Sequence, residues 1–112
     1  MKVVIAPDSF KGSLTAIEAA ESIKKGILKA ADWEMLLIPL ADGGEGTSSV
    51  VAASLGAKSV KIKALDALGG EISAEYFMAD EVAVMEMSAA SGIILIPRDK
   101  LNPLKASTYG TG

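Results

Sequence analysis

The chain of 112 residues contains no cysteine and no histidine. Without cysteine there are no disulfides to staple the fold and no thiolate to hold a metal. Without histidine, any proton transfer falls to Asp, Glu, Lys or Tyr. Aromatic residues are scarce at 4%, and the 11 basic residues are outnumbered by 14 acidic ones, for a net charge of -3. No basic stripe is present to neutralise phosphates, which excludes nucleic acid as the main partner. No apolar run approaches a membrane span, and the run near the N-terminus is too short for the core of a secretory signal. The expectation is a cytoplasmic protein with no membrane partner.

What is present is a chain that is half apolar, rich in Ala, Val, Ile and Leu, of one domain's size. That balance suits an α/β fold and excludes disorder. Val3 to Ala6 is a continuous apolar run closed by Pro7-Asp8, a buried strand by type. After the loop Asp8 to Ser13, Thr15 and Glu18 form a capping box, and Ile17, Ala20, Ile23, Ile27 and Ala31 recur at helical spacing. Glu21 and Lys25 are placed to pair on the outer face, and Gly26 implies close packing against a neighbour. Trp33 to Leu40 reads as a second buried strand, and Thr47 to Leu55 as a helix stopped by Gly56. A right-handed crossover makes the two strands parallel and brings both following loops to the same, carboxyl end of the sheet.

Beyond Gly56 the pattern changes. Ser59 to Leu65 and Glu71 to Met78 are strand-like and joined by Asp66-Ala67-Leu68-Gly69-Gly70, an antiparallel hairpin; Glu81 to Met87 is a third run after the Ala79-Asp80 turn. The reading is an α/β portion over residues 1–56, a parallel βαβα start, followed over 57–112 by the strand-rich start of a second, mixed-sheet portion. Two parallel strands do not cover themselves. The closing turn Ser107 to Gly112 is of the kind that opens another element, so the sequence reads as part of a longer protein.

Two loops carry the chemistry. The first, Asp8-Ser9-Phe10-Lys11-Gly12-Ser13, offers a carboxylate, hydroxyls and a lysine ahead of a helix start, where anions bind well. An ordinary turn accounts for Asp8. Lys11 opposes the helix dipole and calls for an anionic ligand. The second, Asp42-Gly43-Gly44-Glu45-Gly46, puts two carboxylates and three glycines at the mouth of a strand. The helix dipole accounts for one acid, worth about 0.3–1 kcal/mol, but not for three glycines, since a surface turn needs one. Two carboxylates repel a bare phosphate, so a cation, Mg²⁺ or Lys11, must stand between them, the setting of metal-assisted phosphoryl transfer. If the strands are neighbours, Lys11 and Asp42 face one ligand. Neither G-x-x-x-x-G-K-[ST] nor G-x-G-x-x-G occurs. Glu86, read on a strand with Val82 and Val84, is placed at an edge facing water. The small residues Ser88 to Gly92 that follow permit close approach of a backbone or ligand.

The segments Val4 to Leu14, Pro39 to Thr47, Met85 to Gly92, and Asn102-Pro103-Leu104 through Thr108 to Gly112 together resemble, in order and spacing, successive blocks of the bacterial glycerate kinases. The resemblance covers the whole chain as the N-terminal portion of a longer enzyme. It implies two α/β domains, one Rossmann-like and one on a mixed sheet, with the active site in the cleft. It also implies transfer of the γ-phosphoryl of ATP, with Mg²⁺, to D-glycerate, giving 2- or 3-phosphoglycerate by subgroup. On that basis Asp42 is expected as base or Mg²⁺ ligand and Lys11 as the cation on the phosphoryl group or substrate carboxylate. Asp8, Ser9, Gly43, Gly44, Glu45 and Ser91 are expected at the substrate. The partners are D-glycerate, ATP and the remainder of the full-length chain, without which these residues are expected to be inactive. The alternative is a non-catalytic ATP-binding module of universal-stress type, which also opens with a strand, an Asp-Ser loop and a helix.

Overall fold

The computed structural model describes all residues, Met1 to Gly112. The chain divides into two compact units, Met1–Val50 and Val51–Gly112, so the division falls inside a helix, ahead of Gly56.

In the first unit, strand β1 (Lys2–Ile5) leads to helix α1 (Ala16–Leu28) and strand β2 (Glu34–Leu37). The strands pair in parallel, Val4 opposite Leu36 and Ile5 opposite Leu37. Beyond β2 the pairing continues as single bonds, with Ile38 N–H donating to the Ile5 carbonyl and Leu40 N–H to that of Pro7. The expected run from Trp33 to Leu40 therefore has a shorter regular core, because β1 ends at Ile5 and Pro7, two residues on, has no N–H to extend the ladder. The capping box is present: the Thr15 hydroxyl accepts from Glu18 N–H at 3.2 Å, and the Glu18 carboxylate accepts from Thr15 N–H at 2.9 Å.

α1 buries Ala16, Ala19 and Ala20, while Ile17 and Ile23 of the expected apolar face remain about 40% exposed. The strands are likewise not buried on both faces: paired Val4 and Leu36 are 57% and 46% exposed. Their side chains share one face of a two-stranded sheet, too narrow to cover itself. Two further expectations fail. No atom outside the immediate chain lies within 4 Å of where a Gly26 side chain would be, so this glycine sits in the last turn of α1 without a close contact. The ion pairs that form are Lys2 with Glu34 and Lys63 with Glu71; half-buried Glu21 and exposed Lys25 do not pair.

Helix α2 (Thr47–Leu55) begins in the first unit and ends at Gly56. Ala57 N–H reaches back to the Ala52 carbonyl and Gly56 N–H to that of Ala53, with Gly56 at φ +63, a Schellman ending. The second unit is the expected meander, β3 (Lys58–Leu65), β4 (Glu71–Ala79) and β5 (Val82–Val84), antiparallel throughout. Asp66 closes the first hairpin by accepting from Leu68 and Gly70 N–H, both at 2.8 Å. A short helix, α3 (Ser88–Ser91), and the turn Tyr109–Thr111 pack against the strands. Gly110 has no room for a side chain: a Cβ there would lie 2.2 Å from the Leu65 carbonyl oxygen.

Glu86 is not on a strand as expected. β5 ends at Val84, and the half-buried Glu86 accepts a hydrogen bond from the Ser88 hydroxyl just ahead of α3.

Candidate active site

Parallel pairing of β1 and β2 brings their following loops to one end of the sheet. Both loops line a cavity of about 430 Å³ that lies wholly within the first unit. Asp8, Ser9 and Lys11 come from the first loop, and Asp42, Gly44 and Glu45 from the second. Lys11 and Asp42, distant in sequence, are thus brought to one hollow; Gly43 lies between lining residues without lining it. Ser91 belongs to the second unit, where it is 8% exposed and its hydroxyl lies 2.7 Å from that of Thr111.

Each loop is held by its own backbone. In the first, Asp8 Oδ1 accepts from Ser9 N–H at 2.6 Å. Phe10 and Leu14 then form a two-way backbone bridge around Lys11, Gly12 and Ser13. In the second, Asp42 Oδ1 accepts from Gly44 N–H at 2.8 Å, and Thr47 caps the turn by donating its hydroxyl to the Gly44 carbonyl. Gly43 and Gly46 adopt φ of +97 and +90, and a Cβ on Gly44 would sit 2.9 Å from Asp42 Oδ1. Gly43 and Gly46 are therefore required by the backbone of the loop, and Gly44 leaves Asp42 Oδ1 in place. The expectation that a turn explains only one of them is corrected: two supply left-handed backbone and the third makes room for the aspartate that organises the turn.

The electrostatics of the first loop also differ from expectation. The Glu18 carboxylate occupies the start of α1, and the hydrogen bonds from the Thr15 backbone and then its hydroxyl hold its pKa below the ordinary carboxylate value. An anionic ligand here meets a helix end already serving its own carboxylate. Lys11 is the cation lining the cavity.

With Glu18 engaged by Thr15, the carboxylates of Asp8, Asp42 and Glu45 give the cavity an all-oxygen set of acidic donors, suited to a hard cation. No group of three or more acidic side chains converges to hold a metal ion on protein ligands alone. Mg²⁺ does not demand that: it commonly takes one or two carboxylates and completes its shell with waters and substrate phosphates. The donor set fits a shared ion.

Glu18 and Ser49 also line the cavity, and sequence reasoning placed neither at the site. Ser49 was detectable: its hydroxyl caps the Gly46 carbonyl three residues earlier, a spacing typical of hydroxyls in a first helical turn.

Comparison with known proteins gives the arrangement its relatives. The model of the glycerate kinase family matches residues 3–112. This chain belongs to the glycerate kinase family. It is 49% identical to a glycerate kinase of Halalkalibacterium halodurans, over 98% of this chain and 30% of that protein. It is 41% identical to the glycerate 2-kinase of Escherichia coli, over 100% of this chain and 30% of that protein. Among solved structures, that of a candidate glycerate kinase 2 from Salmonella typhimurium LT2 superposes with a TM-score of 0.73 at 39% identity, covering 99% of this chain and 31% of the other. The chain spans about 30% of the length of the curated relatives it matches. Family membership sets aside the universal-stress-type alternative. No helix is long and apolar enough to cross a membrane.

Proposed function

We propose that this chain forms the acceptor-side wall of a phosphoryl-transfer site, at which the γ-phosphoryl of ATP passes to a hydroxyl of D-glycerate. The observation that carries the reading is the meeting of Lys11 and Asp42 in one cavity at the carboxyl end of the parallel strand pair. Such transfer asks little covalent chemistry of the protein; it asks for positioning and for cancellation of charge.

In this reading the Asp42 carboxylate accepts the proton of the attacking hydroxyl or serves as a ligand of Mg²⁺. Asp8 and Glu45 are the other carboxylates available to that ion. Bound Mg²⁺ supplies neutralisation of the charge on the phosphate oxygens. Lys11 pairs with the transferring phosphoryl or with the glycerate carboxylate, and Ser9 with the Gly43–Gly44 backbone positions substrate hydroxyls. The absence of histidine is compatible, because a carboxylate can take the proton of the attacking hydroxyl. Nucleotide-binding groups are assigned to polypeptide beyond these residues, and the 112-residue chain alone is assigned no turnover.

The test is ADP release dependent on both ATP and D-glycerate. It is run on the 112-residue chain and on a chimera in which this chain replaces the matching part of the Escherichia coli glycerate 2-kinase. Turnover is expected in the chimera and not in the chain alone. A folded chimera that releases no ADP contradicts the proposal.

A further inference from the structure

Gly12 has no contact that explains it. A side chain there would meet nothing within 4 Å, yet its backbone sits at φ +73. The reason lies in the tight hairpin around it. Phe10 N–H donates to the Leu14 carbonyl at 2.8 Å, and the Phe10 carbonyl accepts from Ser13 at 2.8 Å and Leu14 at 3.0 Å. The Phe10 to Ser13 bond defines a β-turn in which Lys11 is second and Gly12 third. Lys11 is not among the residues of positive φ, whereas Gly12 is. That pattern matches a type II turn, whose third position demands left-handed backbone and accepts glycine or asparagine.

The hairpin contributes no buried apolar side chain, since Phe10, Lys11, Gly12, Ser13 and Leu14 are all exposed. It therefore does little for the core. What it does is fix the backbone of Lys11 where the loop borders the cavity shared with Asp42. A lysine side chain is long and flexible, so the rigidity of its anchor decides how often its charge meets a ligand.

We propose that Gly12 is a positioning residue for Lys11: its left-handed backbone closes the Phe10–Leu14 hairpin and so sets the lysine onto the cavity. The inference rests on the phosphoryl-transfer reading above for what Lys11 then binds. A β-branched residue cannot adopt this backbone without strain, so Gly12→Val opens the turn while leaving the surrounding space unobstructed.

The test is a double-mutant cycle in the chimera with D-glycerate and ATP, joined to amide exchange in the 112-residue chain. Gly12→Val is expected to lower kcat/KM by about 10–100-fold, the scale of a misplacement near 1 Å, and Gly12→Asn to recover most of it. In a Lys11→Met background, Gly12→Val is expected to add nothing, because the group it positions is gone. In the exchange experiment, Gly12→Val is expected to expose the Phe10 and Leu14 amides while the Glu18 amide of the capping box stays protected. Independent, multiplicative losses for Gly12→Val and Lys11→Met overturn the proposal, as does retained protection at Phe10 and Leu14. A wild-type chimera that is folded but inactive defeats the glycerate kinase reading instead, and the exchange result then still decides whether Gly12 holds the hairpin.

Discussion

The backbone N–H of Gly44 donates to Oδ1 of Asp42 at 2.8 Å, so the carboxylate expected to do chemistry also ties its own loop. Asparagine keeps that acceptor and removes the charge; alanine removes both. Asp42→Asn is therefore expected to preserve the turn and Asp42→Ala to release it, read as faster exchange of the Gly44 amide in the alanine variant alone. Equal protection in the two variants would show that the turn does not depend on this bond.

Gly44 should tolerate no side chain without disturbing Asp42, because a Cβ would approach Oδ1 to 2.9 Å. Gly44→Ala is expected to lower kcat in the chimera by about 10-fold or more through displacement of the carboxylate, while leaving the melting temperature within a few degrees. An alanine variant with normal turnover would separate Asp42 from the reaction.

The capping box of α1 has a defined pH dependence. The Thr15 backbone and hydroxyl lower the folded-state pKa of Glu18. Its contribution is therefore fully present above the ordinary glutamate value, roughly pH 4.3, and is lost as pH falls through the lowered folded value. The stability difference between wild type and Glu18→Gln, followed by urea unfolding, is expected to be constant near neutrality and to shrink in acid. A difference that grows on acidification contradicts the assignment.

Two glycines should be costly to replace for different reasons. Gly56 at φ +63 closes α2, and Gly56→Ala is expected to destabilise by about 1–2 kcal/mol, seen as a lower urea midpoint. Gly110 lies against β3, where the new Cβ would meet the Leu65 carbonyl oxygen at 2.2 Å. Gly110→Ala is expected to lift the Tyr109–Thr111 turn and release the hydroxyl contact between Ser91 and Thr111, detectable as loss of protection at the Thr111 amide. No change at Thr111 would show that the turn adjusts in place.

Much of this was legible in the residues because the signals were local. The Thr15–Glu18 box, the Gly56 stop and the Asp66–Gly70 hairpin each depend on groups a few positions apart, and each appears where the pattern put it. The convergence of Lys11 and Asp42 followed from one topological rule, the parallel βαβ crossover. What failed depended on tertiary surroundings. Burial of β1, β2 and the isoleucines of α1 is set by what covers them, and periodicity cannot show that. Gly44 answers to the Asp42 carboxylate, a relation invisible until the loop is built.

The central claim is that Asp42 serves phosphoryl transfer and not only its loop. Steady-state ADP release by the chimera with saturating D-glycerate and ATP, wild type against Asp42→Asn, tests it most directly. The account predicts a kcat lower by about 10²–10⁴-fold with the Gly44 amide still protected. A folded Asp42→Asn chimera with near-normal kcat would contradict it.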